Sequence, residues 1–331
     1  MLAEHQLYAA AARQFGLARP TSKDPYLAGY NQTLAYLNAA DYAAAIRTAN
    51  ELLNQGHETA ELADVAATAY LKSGQAQEAY NAFRLAAHLD PRNEEAYVEL
   101  CEMSLDHDDY DRGLQIAEIG LRHLPGSERL YLQRGIMRAM KGQFDEGEKD
   151  FAKASELAPQ EVLPAVSLGL IAMQKGNLDK AVATLRHAAG QHPESYVAQY
   201  WFAEALLRAG AASGTIRRDE ALAALKQSVR LNPNFWHARA DLGKLLLDRD
   251  EVDAAISELQ KAASLNPSST GPLYLLAQAY RRKGDESRAQ ELIAQVSKMQ
   301  AEDRESLAQG GLRQLAREGK AAVPASQGQQ H

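Results

Sequence analysis

The sequence predicts an all-α solenoid of antiparallel helix pairs, and three observations support that prediction. Six prolines are spaced at intervals of 34 residues, apart from one interval of 40. They are Pro91, Pro125, Pro159, Pro193, Pro233 and Pro267. A small residue and a glycine also recur at fixed places between the prolines. A period near 34 residues is typical of stacked helix–turn–helix units, so we expect a binding surface rather than a catalytic pocket.

The prolines divide residues 26–303 into eight predicted repeats. These repeats are 26–59, 60–93, 94–127, 128–161, 162–195, 196–235, 236–269 and 270–303. Position 8 of a repeat is small where two helices must cross: Ala67, Cys101, Gly135, Gly169, Ala203, Gly243 and Ala277. Position 15 ends the first helix with a glycine suited to a left-handed cap: Gly74, Gly142, Gly176, Gly210 and Gly284. In two repeats Asp108 and Asp250 replace that glycine.

In six of the eight repeats the second helix carries a large apolar anchor at position 24. The anchors are Phe83, Phe151, Leu185, Leu225, Leu259 and Ile293. The proline that follows stops the helix, because it lacks the N–H that the next turn would need. Each repeat is therefore predicted to be two helices and two turns.

This pattern resembles the tetratricopeptide repeat family in its bacterial, multi-repeat form. The segments EEAYVELCEMSLDHDDYDRGLQIAEIGLRHLP and WHARADLGKLLLDRDEVDAAISELQKAASLNP follow the family motif almost throughout, and the resemblance covers about 26–303. It is weaker at His57, which stands at a proline position, and at Gly113 and Gly120, which replace alanines. The resemblance implies a right-handed superhelical solenoid that binds other proteins.

The ends and one insertion depart from the period. Residues 1–25 are predicted to hold a truncated half repeat, 304–318 a capping helix, and 319–331 a disordered tail. Six extra residues in repeat 196–235 fall within 210–221 and include Arg217 and Arg218. Two interpretations of the insertion stay open: a longer solvated loop with a basic start to the next helix, or an extra contact finger at the edge of a groove.

Composition and motifs argue against nucleic-acid binding, membrane insertion and catalysis. The formal net charge of −7 argues against a general nucleic-acid binder, and no apolar run is long enough for membrane insertion. Cys101 occupies a packing position, and the acidic run 106–111 coincides with an inter-helix turn. We therefore expect no enzyme activity, no cofactor and no metal site.

The concave face is where the family resemblance places a partner, on positions 2, 5, 6, 9, 12 and 13 of the first helices. Toward the N-terminus these positions are acidic, and the candidate residues are Glu95, Glu99 and Glu102. Toward the C-terminus they combine aromatic and charged residues. The candidates there are Tyr200, Trp201, Glu204, Arg208, His237, Asp241, Lys244, Tyr274, Gln278, Arg281 and Arg282. The family's clamp for chaperone C-termini is not matched by any three consecutive repeats, since Lys244 stands alone at position 9.

These residues predict a non-catalytic adaptor that holds a peptide or protein segment. Two alternatives stay open: a targeting or regulatory arm of a larger enzyme or envelope-assembly complex, and a structural protein that self-associates through its open N-terminal repeat. We expect a soluble, cytoplasmic protein, or a periplasmic one if a signal peptide lies upstream of Met1.

Overall fold

The structure is a computed structural model that describes residues 2–210 and 215–301. Every regular element in this part of the chain is helical, and none of its helices is long and apolar enough to cross a membrane. The chain divides into two compact units, Met1–Asn177 and Leu178–His331. The division falls between the two helices of the predicted repeat 162–195.

The first unit contains ten α-helices and a 3-10 helix, Arg19–Thr21, within its described residues. The α-helices are α1 (Leu2–Ala18), α2 (Pro25–Asn38), α3 (Tyr42–Asn54), α4 (Ala60–Lys72), α5 (Ala76–Leu89), α6 (Glu94–Asp106), α7 (Tyr110–His123), α8 (Glu128–Met140), α9 (Phe144–Leu157) and α10 (Val162–Gln174). Consecutive helices pack together, and α2 also contacts α4, as α6 does α8. Pairs that stack in this way on their neighbours form a solenoid.

The second unit repeats the arrangement. Its helices are α11 (Leu178–Gln191), α12 (Tyr196–Ala209), α13 (Thr215–Leu231), α14 (Trp236–Asp248), α15 (Val252–Leu265) and α16 (Thr270–Lys283), followed by helical residues 286–301. Helix α12 packs against α13 and α14 against α15, while α14 also contacts α16. The predicted capping helix 304–318 and tail 319–331 lie outside the described residues.

The turn after the first helix has the predicted backbone at most positions. Gly74, Gly142, Gly176 and Gly284 are left-handed, with φ between 74° and 84°. Gly210 is a correction, because its φ is −96°. A glycine is needed at position 210 because neighbouring atoms approach its Cα closely. A Cβ there would lie 2.8 Å from the Leu206 carbonyl oxygen and 3.4 Å from Cβ of Arg217.

Large neighbouring side chains fill the space beside the small residues at the helix crossings. A Cβ on Gly135 would lie 2.6 Å from the Phe151 ring. The two glycines that weakened the family match are explained in the same way. A Cβ on Gly113 would lie 2.2 Å from Sδ of Met137, and one on Gly120 would lie 2.7 Å from Leu130. Both glycines therefore make room for a buried side chain of α8.

Ion pairs join successive turns along each unit. In four repeats a base at the end of the first helix contacts an aspartate 30 residues earlier in the chain. The pairs are Lys141–Asp111 and Lys175–Asp145 in the first unit, and Arg249–Asp219 and Lys283–Asp253 in the second. Surface pairs of this kind are individually weak, so their value lies in aligning neighbouring helix pairs.

The insertion completes this series. Ala209 stands at the repeat position that Lys141, Lys175, Arg249 and Lys283 occupy elsewhere, and Arg217 supplies the base instead. Its Nη2 contacts Asp179 at 3.1 Å and its Nη1 donates to the Ala209 carbonyl at 3.2 Å. Arg218 pairs with Asp248 at 3.4 Å. Arg217 and Arg218 lie at the start of α13, as the first interpretation of the insertion expected. The loop is shorter than that interpretation expected, because α13 already begins at Thr215. Residues 211–214 lie outside the described chain.

Candidate functional site

Two neighbouring helices of the second unit bring the predicted aromatic and charged residues together. Tyr200, Glu204 and Arg208 succeed one another at four-residue intervals on α12, so they share one face of the helix. His237, Asp241 and Lys244 are spaced by four and three residues and share one face of α14. The Tyr200 hydroxyl donates to Oδ2 of Asp241 at 3.1 Å and joins the two helices. We call these six residues and Trp201 the α12–α14 face.

A cluster of rings surrounds Tyr200. Its ring lies edge-on to Trp201 and to Phe235, with centroids 5.1 Å and 5.0 Å away, while His237 stacks on Trp236 at 3.7 Å. Tyr200 is buried, but Trp201 is only partly buried and His237 is exposed. Aromatic pairs in edge-on geometry hold one another in place, so the exposed rings sit on a rigid base.

Sequence analysis missed three members of this cluster. Phe235 contacts Tyr200, Trp236 stacks on His237, and Tyr196 contacts Phe235. All three precede or begin a first helix and lie outside the positions assigned to the concave face. The pair Phe235–Trp236 directly after the turn at Pro233 was the signal that could have found them.

Asp241 is the most perturbed carboxylate of the face. Burial, reinforced by the nearby Glu204, raises its pKa to about 6, against the Tyr200 hydrogen bond and the charges of Lys244 and Arg208. Burial likewise raises the pKa of Tyr200, helped by Asp241, and lowers the pKa of His237. The face therefore holds a negative charge where water solvates it poorly.

The bases of the α12–α14 face are more exposed than its acids. Arg208 lies 3.5 Å from Glu204, and its side chain is 52% exposed whereas that of Glu204 is 17% exposed. Lys244 is exposed, and Asp241 is partly buried. A cavity of about 410 Å³ opens between them. Its lining residues are Glu204, Leu207, Arg208, Gly210, Arg218, Asp241, Lys244, Leu245 and Asp248. An approaching molecule thus meets cations first.

The remaining candidates of the second unit lie on α16. Tyr274 is half exposed, and Gln278 is partly buried. Arg281 lies 3.5 Å from Glu286. The guanidinium of Arg282 donates to the Leu247 carbonyl at the end of α14, so this residue has a structural contact.

The acidic candidates lie on α6 of the first unit, where each has a different environment. Glu95 accepts a hydrogen bond from Arg129 at 2.5 Å, and Glu102 accepts one from Gln133 at 3.1 Å. Burial and the charges of Glu102 and Glu95 raise the pKa of Glu99. These carboxylates crowd together with few cations to offset them.

Cys101 and the acidic run 106–111, which sequence analysis assigned to packing and to a turn, lie in the helix packing and at the inter-helix turn. The Cys101 thiol is buried and donates to the Gly113 carbonyl at 3.6 Å, and burial raises its pKa to about 12. The acidic run lies between α6 and α7, where Asp108 is left-handed with φ of 55°. Within 2–210 and 215–301, no group of three or more His, Cys, Asp or Glu side chains is placed to hold a metal ion.

Comparison with known proteins agrees with the helix-pair architecture. Family models described as tetratricopeptide repeat match residues 166–214, 217–270 and 246–314. Among curated proteins, the BBSome complex member BBS4 of Bos taurus is 25% identical over 313 residues, which cover 83% of this chain and 58% of that protein.

Solved structures share the fold. The yeast Tom70 structure aligns with a TM-score of 0.61 and 20% identity, covering 88% of this chain and 64% of Tom70. A tetratricopeptide repeat protein from Parabacteroides merdae ATCC 43184 aligns with a TM-score of 0.61 and 16% identity, covering 77% of this chain and 98% of that one. The chain spans less than two thirds of BBS4 and of Tom70. The family matches thus identify tetratricopeptide repeats over residues 166–214 and 217–314, and the solved structures share the all-α solenoid fold of this chain.

Proposed function

We propose that this protein is a non-catalytic adaptor that binds a segment of a protein partner on the α12–α14 face. The observation that carries the proposal is the set of partly exposed rings and exposed bases held on two packed helices. Tryptophan, tyrosine and arginine are the side chains most often responsible for binding energy at protein interfaces.

The mechanism is presentation of a surface that is already ordered. Tyr200 is fixed by its hydrogen bond to Asp241 and by edge-on contacts with Trp201 and Phe235. Because these groups lose little freedom on binding, most of the ordering cost falls on the incoming segment alone. An extended or helical segment can then bind without rearrangement of the helices.

The charge arrangement supports a partner segment that carries an apolar side chain beside acidic ones. Trp201 and His237 offer the apolar surface. Arg208 and Lys244 are exposed next to them, whereas Glu204 and Asp241 are more buried. An acidic group therefore meets the bases without having to displace the carboxylates, and its attraction should weaken with salt.

The test is to select peptides from a displayed random library on the intact protein and to measure their affinities by fluorescence anisotropy. Selected peptides should combine acidic and apolar residues. Trp201→Ala should weaken them by about 30-fold, because a central ring at an interface contributes about 2 kcal/mol or more. Arg208→Ala should weaken binding and reduce its salt dependence.

Two control variants are matched to these changes. Phe202→Ala removes a ring of the same helix, one that contacts Arg186 with its guanidinium carbon 5.4 Å from the ring centroid. Arg230→Ala removes an exposed base of α13. Both should keep the affinity of the parent protein. Selected peptides that bind Trp201→Ala and Arg208→Ala as tightly as the parent would contradict the proposal.

A second candidate function, self-association through α1, is favoured by its exposed apolar side chains. Leu7 is 71%, Leu17 75% and Tyr8 44% exposed. Burying each leucine against another chain would contribute about 1.5–3 kcal/mol. Light scattering should then show a mass that rises with concentration and falls in Leu7→Glu/Leu17→Glu. A constant monomeric mass for the parent protein at high concentration would exclude this function.

A further inference from the structure

A buried side chain of the first unit has an acceptor without a donor. Gln133 on α8 is 8% exposed, and its Nε2 donates to Oε1 of Glu102 at 3.1 Å. A carboxylate can only accept here, so the amide must turn its nitrogen to Glu102 and its oxygen away from it. That oxygen, Oε1, is buried and has no hydrogen-bond partner within the described residues. A lone buried acceptor is costly, and native structures rarely keep one without a reason.

The same situation recurs on the neighbouring first helices. Oδ1 of Asp64 on α4 is also buried without a partner in the described chain. Burial raises the pKa of Asp64, against a hydrogen bond from Asn93, and burial raises the pKa of Glu99. Asp64, Glu99, Glu102 and Gln133 thus offer acceptors from α4, α6 and α8, and we call them the acceptor face.

A cavity of about 370 Å³ adjoins this face. Its apolar lining residues are Val98, Leu132, Ile136, Leu163 and Pro164, and its polar and charged ones are Glu102, Glu128, Arg129, Gln133 and Glu161. Leu163 is 49% exposed, so part of the apolar wall is open to solvent. The cavity therefore combines an aliphatic surface with an acceptor that needs a donor.

The nearby bases do not neutralise the acceptor face. Arg129 is engaged by Glu95 at 2.5 Å and by Glu94 at 3.9 Å. Arg129 and Lys72 act on Glu99 at a distance and leave its pKa raised. The electrostatic balance around the cavity is acidic, which complements a cation and repels an acidic segment.

We propose that the acceptor face is a second docking site, one that binds a basic, aliphatic segment of a protein partner. An aliphatic side chain fills the cavity beside Leu132 and Leu163. A backbone or side-chain N–H donates to Oε1 of Gln133, and lysine or arginine side chains lie against Glu99 and Glu102. The segment is opposite in charge to the one assigned to the α12–α14 face, so the protein carries two sites of different specificity.

The test uses the full-length protein and a fluorescein-labelled peptide in which two leucines are flanked by lysines and arginines. A matched peptide has glutamine at every basic position. The basic peptide should bind at least about tenfold more tightly at low salt. Glu99→Gln, which keeps the shape of the side chain, should weaken it about fivefold, and Gln133→Leu should weaken it about tenfold because hydrogen bonds near charges contribute most.

Thermal melting establishes that both variants are folded, and Trp201→Ala serves as the binding control. That variant should bind the basic peptide as the parent protein does, which separates this site from the α12–α14 face. The proposal is overturned if the glutamine peptide binds equally well, or if Glu99→Gln and Gln133→Leu leave the affinity unchanged. Loss of binding in Trp201→Ala alone would also overturn it, since the peptide would then occupy the other face.

Discussion

A single residue of the α12–α14 face, Asp241, lowers the free energy of unfolding at neutral pH. Burial raises its pKa to about 6, so above that pH the folded protein holds a charge that the unfolded chain would solvate better. An acid whose folded pKa is raised lowers stability above that pKa, and the cost disappears as the pH falls below the unfolded value of about 4. A role in binding would explain why a carboxylate that lowers stability is present at this position.

Asp241→Asn should therefore stabilise the protein. The amide oxygen can still accept the Tyr200 hydroxyl, while the buried charge is removed. We expect a gain of about 1–3 kcal/mol at about pH 7.5 that shrinks to nothing at about pH 3.5. Urea unfolding across this pH range measures it.

The matched control is Asp253→Asn, which changes an exposed aspartate paired with Lys283. Its effect on unfolding should be small and nearly independent of pH, because exposed ion pairs contribute little. Equal pH profiles for the two variants would show that Asp241 bears no special cost.

At the scale of elements, the turns between paired helices require a residue with a left-handed backbone conformation. Left-handed φ values recur at four glycines and also at Ala40, Asp108 and Asp250, with φ of 59°, 55° and 61°. Asp108 gains a hydrogen bond from the Tyr110 hydroxyl at 2.5 Å, which offsets part of its strain. Asp250 lies in the equivalent turn of the second unit and is exposed.

Asp250→Gly should stabilise the second unit by about 0.5–1 kcal/mol, because glycine adopts a left-handed conformation without steric cost. The reverse change, Gly284→Ala at φ of 84°, should destabilise by about 1 kcal/mol. Chemical denaturation monitored by circular dichroism measures both. A loss of stability in Asp250→Gly would mean that the aspartate side chain stabilises this turn.

At the scale of the whole molecule, the period of the prolines predicted the helix pairs, while the chemistry of the faces was predicted only in part. Small residues and glycines mark positions whose geometry is the same in every repeat, so one sequence reveals them. Phe235 and Trp236 lie outside the positions that the repeat assigns to the concave face, so the period did not single them out. The orphaned oxygen of Gln133 depends on which neighbour its amide meets, and no spacing encodes that.

The ion pairs that span 30 residues have a consequence for how such a chain can change its length. Every member joins the same two positions of neighbouring periods, and Arg217 restores the rule where Ala209 would have broken it. Excision of one whole period between Asp111 and Lys175 would bring that lysine to the place Lys141 now holds. Loss of one complete period at this place would therefore leave no lysine of the series without its aspartate, so these ion pairs are as compatible with a change in repeat number as the packing of the core is.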